Sequence, residues 1–187
     1  MVKDFLLKLR KFGLENDVPN ITDENAAYLL NLLRENNVKK MLEIGTANGY
    51  STICFADYLK SVWWHITSIE FSSLSHWQAI DNIQEAWVDS VCTLLLWQAL
   101  DIIPTLDDDS FDFAFIDGMK RRSIDFLRLS WPKVKLGWII VIDDVIKFKE
   151  KMISLYDYIE QHEINHDIVK IDEDDGIMII KKTTPGL

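Results

Sequence analysis

Apolar residues at positions 5, 6, 9 and 12 return with the spacing of one helical face, so residues 3–15 are predicted to form an amphipathic helix, ended by the Val18-Pro19-Asn20 stretch. A second helix is predicted from Thr22, whose hydroxyl can accept from free backbone amides, to about residue 35. The rhythm then changes. Short apolar runs at residues 40–44, 66–70, 91–96, 111–116 and 138–142 read as strands, and amphipathic stretches at 51–59, 74–87, 124–130 and 147–161 read as helices between them. Strict alternation of strand and helix predicts a parallel sheet covered on both faces. Only the end breaks the alternation, where residues 166–171 and 177–181 flank the acidic turn 172–176 and predict a hairpin.

Composition narrows this to one domain. With 187 residues and 48% apolar content, the chain suits a single core, with N-terminal helices at 1–36 and an α/β core at 37–182. The net charge of −10 argues against a protein that gains its affinity by neutralising many phosphates. Small molecules remain as partners, or a nucleic acid met at one basic patch such as Lys120-Arg121-Arg122. Cys54 and Cys92 form no C-x-x-C pair and read as reduced core residues, which with the lack of a long apolar run predicts a cytoplasmic protein that does not span a membrane.

Two groups of residues carry candidate chemistry. In "MLEIGTANGYST" an apolar strand runs into Gly45 and Gly49, with Ser51 opening the next helix; glycines there let the backbone turn and approach a ligand beyond the strand ends. Glu70 ends the following strand, where an acid can bond ribose hydroxyls. Glu43 lies inside an apolar strand end and needs a donor, for which a cofactor ammonium is a candidate. The loop is neither a dinucleotide fingerprint nor a phosphate loop. In "FDFAFIDGMKRR" and "GWIIVIDDV" apolar strands run into Asp117 and into Asp143 and Asp144. Three carboxylates on neighbouring strands call for a cation, and oxygen ligands suit magnesium, manganese or calcium. Lys120 is the nearby candidate proton acceptor, and a divalent cation beside it would depress its pKa.

On LEIGTANGYST, TSIEF, LLLWQALDIIP, FDFAFIDGMK, IIVIDDV and DGIMIIKK, the chain resembles the class I S-adenosylmethionine-dependent O-methyltransferases of the catechol and caffeoyl-CoA type, from about residue 21 to 182. The resemblance implies a Rossmann-like α/β fold whose seven-stranded, mostly parallel sheet has an antiparallel last strand. It implies that Glu43, Gly45, Ala47, Gly49 and Ser51 hold the methionine moiety of S-adenosylmethionine, Glu70 the ribose, and Phe71, Gln98 and Ala99 the adenine. It assigns Asp117 to the cofactor and metal sites, Asp143 and Asp144 to the metal, and Lys120 to the role of general base. The implied acceptor is a small phenol-like hydroxyl, or a hydroxyuridine in tRNA as in some bacterial relatives, and family members commonly form homodimers. The family usually has Asp-Asn where this chain has Asp143-Asp144. The chain also lacks the longer N-terminal region that often shapes the acceptor pocket.

Two features stand outside this picture. "HEINH", residues 162–166, matches the zinc motif H-E-x-x-H but sits where a helix gives way to a strand, and reads as a solvated helix end; His65 and His76 read as surface or strand-edge residues. There are also seven tryptophans against only seven glycines, where average usage would make glycine roughly 7% of the chain. Trp63, Trp64, Trp87, Trp97 and Trp138 all fall where a turn, a helix end or the resembled family favours glycine. The expectation is that these are UGA codons read as glycine by the source organism, and that Trp97 weakens cofactor binding.

Overall fold

In the computed structural model, which describes residues 2–186, the sheet assembles in the order β3-β2-β1-β4-β5-β7-β6. Its strands are β1 (Lys40–Ile44), β2 (His65–Glu70), β3 (Cys92–Leu96), β4 (Phe111–Ile116), β5 (Val134–Ile142), β6 (His166–Lys170) and β7 (Gly176–Lys181). β1 to β5 pair in parallel, while β7 runs antiparallel to both β5 and β6, so the predicted hairpin forms and inserts its second strand into the sheet. The chain reverses its direction of winding between β1 and β4. In open α/β sheets such a switch point leaves a crevice outside the carboxyl ends of the strands.

Alternate strand residues feed two apolar layers. Met41, Phe113, Phe115 and Val141 face α1 (Val2–Glu15), α2 (Asp23–Glu35), α3 (Tyr50–Ser61) and α4 (Ser73–Glu85). Leu42, Ala114, Ile116 and Ile142 face α5 (Ala99–Ile102), α6 (Ser123–Ser130) and α7 (Ile153–Gln161). Every residue of β4 is buried, which accounts for its apolar character, and its one acid, Asp112, is buried by accepting the Lys39 and Lys40 amides and pairing with Lys135. Thr22 caps α2 as expected, its hydroxyl accepting from the Asn25 amide.

Two boundaries differ from expectation. α7 starts at Ile153 and not near residue 147, because Asp144 adopts φ +63° and the Asp175 carboxylate accepts the amides of Ile146 and Lys147, pulling that stretch into tight turns. β5 starts at Val134, ahead of Trp138, and its register against β4 shifts between Phe111 and Phe113, with Gly137 at φ +86° inside the irregularity.

Five helices end in one motif. The residue after the cap turns left-handed, at Asp17, Asn37, Trp63, Trp87 and Glu163 with φ between 50° and 62°. The next amide then bonds back to the third carbonyl from the helix end, as in Trp64 to Leu59, 2.9 Å, and Val88 to Ile83, 3.2 Å.

Candidate functional site

The carboxyl ends of β1 to β5 gather the residues singled out in the sequence, in two adjoining groups. On the β1–β2–β3 side, Gly45 at φ +103° and Gly49 at φ +88° turn the chain from β1 into α3. A Cβ on Gly45 would stand 2.5 Å from the Asp117 carbonyl oxygen, so only glycine lets this loop lie against the end of β4. Glu70 ties the loop down: one carboxylate oxygen accepts the Ala47 amide and the other the Ser72 amide, each at 2.9 Å. Phe71 follows Glu70 and is exposed; Gln98, also exposed, precedes buried Ala99 at the start of α5. The Trp97 amide donates to the Glu70 carbonyl, which sets position 97 beside that acid with its ring 61% exposed.

Glu43 turns away from this surface. It is fully buried and its carboxylate accepts three hydroxyls, from Ser51, Thr52 and Ser68, at 2.5–2.6 Å. The donor that the sequence reading sought in a cofactor ammonium is thus found within the fold. Burial pushes its carboxyl up to about 7, against the pull of those three bonds. Thr46 extends the network through Ser68. Beside it, Asn48 is buried with its Nδ2 lacking a partner, a donor left over for a ligand.

On the β4–β5 side, Lys120 Nζ lies 2.6 Å from both Asp117 Oδ1 and Asp144 Oδ2. Burial disfavours the ammonium, but the two carboxylates outweigh it and hold the Lys120 pKa above the ordinary lysine value. The depressed lysine expected from the sequence concerns a divalent cation beside it; here the ammonium itself stands between the two acids. Burial lifts Asp117 to about 6 even with Lys120 beside it. Asp143 does not join them; both its oxygens face Asn25 Nδ2 of α2, and burial followed by the charges of Asp117 and Asp144 raises its pKa.

Sequence reasoning missed two members of this group. Asn25 carried no signal, being one polar residue in an amphipathic helix. Asp175 looked like part of a solvated turn, yet its Oδ1 accepts backbone amides, its Oδ2 is buried, and burial followed by the neighbouring Asp144 carboxylate raises its pKa.

The zinc motif does not assemble. α7 ends at Gln161, Glu163 is left-handed at φ +50°, and His166 already lies in β6, so the two histidines never share a helical face. Among the described residues, no group of three or more histidine, cysteine, aspartate or glutamate side chains is arranged to hold a metal ion. His76 is buried, contrary to expectation, and packs edge-on against Trp77. Burial pushes both thiols, Cys54 and Cys92, up to about 12. Among the described residues, no helix is long and apolar enough to cross a membrane.

Comparison with known proteins agrees with this geometry. The sequence model of the O-methyltransferase family matches residues 2–182. A catechol O-methyltransferase from Niastella koreensis is 34% identical over 153 residues, covering 77% of this chain and 67% of that protein. One from Mycobacterium tuberculosis is 28% identical over 127 residues, covering 68% of this chain and 57% of that protein. The chain therefore spans about three fifths of the length of the curated relatives it matches. The crystal structure of the O-methyltransferase TomG from Streptomyces achromogenes, in complex with S-adenosylmethionine, shares the fold with a TM-score of 0.86 at 22% identity, over 96% of this chain and 90% of that one.

Proposed function

The chain belongs to the O-methyltransferase family, and from that premise we propose that it transfers a methyl group from S-adenosylmethionine to a hydroxyl of a small catechol- or phenol-like acceptor. The observation that carries this reading is the contact of its two half-sites: the glycine loop lies against Asp117, and Asp117 is paired with Lys120. A methyl donor held over the loop and a hydroxyl held at Lys120 are then neighbours, and proximity of this kind supplies much of the rate of a displacement.

The residues fit the cofactor. Each Glu70 oxygen accepts one backbone amide and keeps a lone pair for a ribose hydroxyl. Asn48 Nδ2 is a buried donor still to be used. Phe71, Gln98 and Ala99 border the adenine end, while Glu43 acts from below, holding Ser51 and Thr52 so that the loop keeps its shape. S-adenosylmethionine supplies an electrophilic methyl group on its sulfonium.

Charge and donor type also fit a hard divalent cation: Asp117 and Asp144 contact the Lys120 ammonium, Asp143 lies in the field of both, and Asp175 lies in the field of Asp144. Asp117, Asp143 and Asp144 are the residues that would hold magnesium, manganese or calcium, which would lower the pKa of a bound hydroxyl. Lys120 is the proposed base: its ammonium would first release a proton to solvent, which the two carboxylates oppose and a cation held by them would favour, and the neutral Nζ would then take the acceptor proton.

A second acceptor class is favoured by one stretch. Residues 146–151 and Ile153 line a cleft of about 570 Å³ shortly after Asp144; Lys147, Lys149 and Lys151 there lie over the rings of Phe148 and Tyr156, outnumbering the one acid of the lining, Glu150. Such cations suit a phosphate-bearing acceptor such as a hydroxyuridine in tRNA. Transfer of labelled methyl to catechol and to hydroxyuridine tRNA, with magnesium or with chelator, separates the two. No binding of S-adenosylhomocysteine in calorimetry would remove the cofactor reading altogether.

A further inference from the structure

Three of the five common helix ends, at Trp63, Trp87 and Glu163, hold a residue other than the Gly, Asn or Asp that suits a left-handed backbone, and the two tryptophans are the bulkiest of them. Left-handed residues meet a clash between Cβ and the following carbonyl, which glycine lacks and which short Asn or Asp side chains partly offset by local bonding. Asp17 and Asn37 fit that rule. Trp63 at φ +62° and Trp87 at φ +60° do not.

Nor do their rings gain anything by being there. Trp63 is 91% exposed and Trp87 69%, so neither indole fills the core. Trp131 shows what a built tryptophan site looks like in the same chain: 3% exposed, with its Nε1 donating to the Thr184 carbonyl. Helix-end motifs are the commonest place for glycine just past a cap, yet none of the five here has one.

We infer that positions 63 and 87 belong to glycine, their tryptophans being UGA codons whose meaning in the source organism is glycine. The backbone separates the five suspect tryptophans. Trp64 and Trp138 have ordinary φ and are at least partly covered, Trp64 by Lys39 over its ring, so their conformation makes no such demand. Trp97 also has ordinary φ; the residue is exposed and its backbone amide donates to the Glu70 carbonyl, so if its codon is UGA as well, a glycine stands at that strand end in the native chain.

Three measurements test this. The gene should read UGA at 63 and 87 and UGG at 131; UGG at 63 and 87 would overturn the inference. Trp63→Gly and Trp87→Gly should each raise the folding equilibrium constant by about 5- to 30-fold, read as a higher urea midpoint, while Trp131→Gly lowers it. A lower midpoint for both helix-end variants counts against the inference. The third measurement rests on the proposed function: Trp97→Gly should bind S-adenosylhomocysteine more tightly in calorimetry. Equal affinity, with UGA found at 97, would refute the adenine position next to that residue and leave the glycine assignment at 63 and 87 standing.

Discussion

Asn25 donates through one nitrogen to both carboxylate oxygens of Asp143, at 2.8 and 3.0 Å, joining α2 to the end of β5 across the sheet. Both residues are buried, so the carboxylate depends on this partner. Asn25→Leu should destabilise the fold by about 1–3 kcal/mol, the cost of a buried acceptor left unmade. Urea unfolding of the variant checks it, and Asn25→Asp should be worse, since it sets a second carboxylate against the first.

Glu43 makes stability depend on pH in a defined direction. Its carboxyl rises from 4.5 in the unfolded chain to about 7 in the fold, so the folded state binds this proton more tightly. The contribution is fully present below pH 4.5 and is lost as pH rises through about 7, a difference of about 3 kcal/mol. Glu43→Gln should flatten that part of the profile. Urea midpoints of the two proteins compared across the window isolate this group from the other raised carboxyls.

Much of this was legible beforehand, for reasons that differ by residue. The strands of the parallel sheet announced themselves because burial on both faces leaves little polar alternation, as in the run Phe113 to Ile116 of β4. Glycines at 45 and 49 and acids at strand ends are local signals. What escaped were long-range relationships: the Asn25 bond to Asp143 spans 118 residues, and nothing near Asn25 hints at it. The late start of α7 was hidden for the same reason, since its cause is a carboxylate on the far hairpin. Glu43 was correctly read as needing donors, but hydroxyls from two other elements, α3 and β2, could not be found by scanning its own strand.

Lys120→Met should lower kcat by about 10²- to 10⁴-fold, the usual loss when a positioned base is removed. Affinity for S-adenosylhomocysteine should change little, because the ion pairs of Lys120 are with Asp117 and Asp144 and not with Glu70. Calorimetry alongside single-turnover rates distinguishes this from a general collapse of the site.

Glu70→Ala should weaken S-adenosylhomocysteine binding by roughly 10- to 100-fold, the equivalent of one charged hydrogen bond of about 1.5–3 kcal/mol. It also strands the amides of Ala47 and Ser72, so the thermal midpoint should fall too. Glu70→Gln, which keeps an acceptor oxygen, should recover part of the stability but less of the affinity.

The missing side chain at Gly45 has a mechanical meaning. With the Gly45 amide bonded to Ile69, the Asp117 amide bonded to Ile44 and no Cβ between them, the strands that carry the proposed donor and acceptor seats are bolted together at their tips. In the proposed reaction, the gap that a methyl group crosses is therefore set by the sheet itself, like the fixed jaw spacing of a gauge. Adjustment to different acceptors then falls to the segments outside the sheet, the residues after Asp144 and the N-terminal helices.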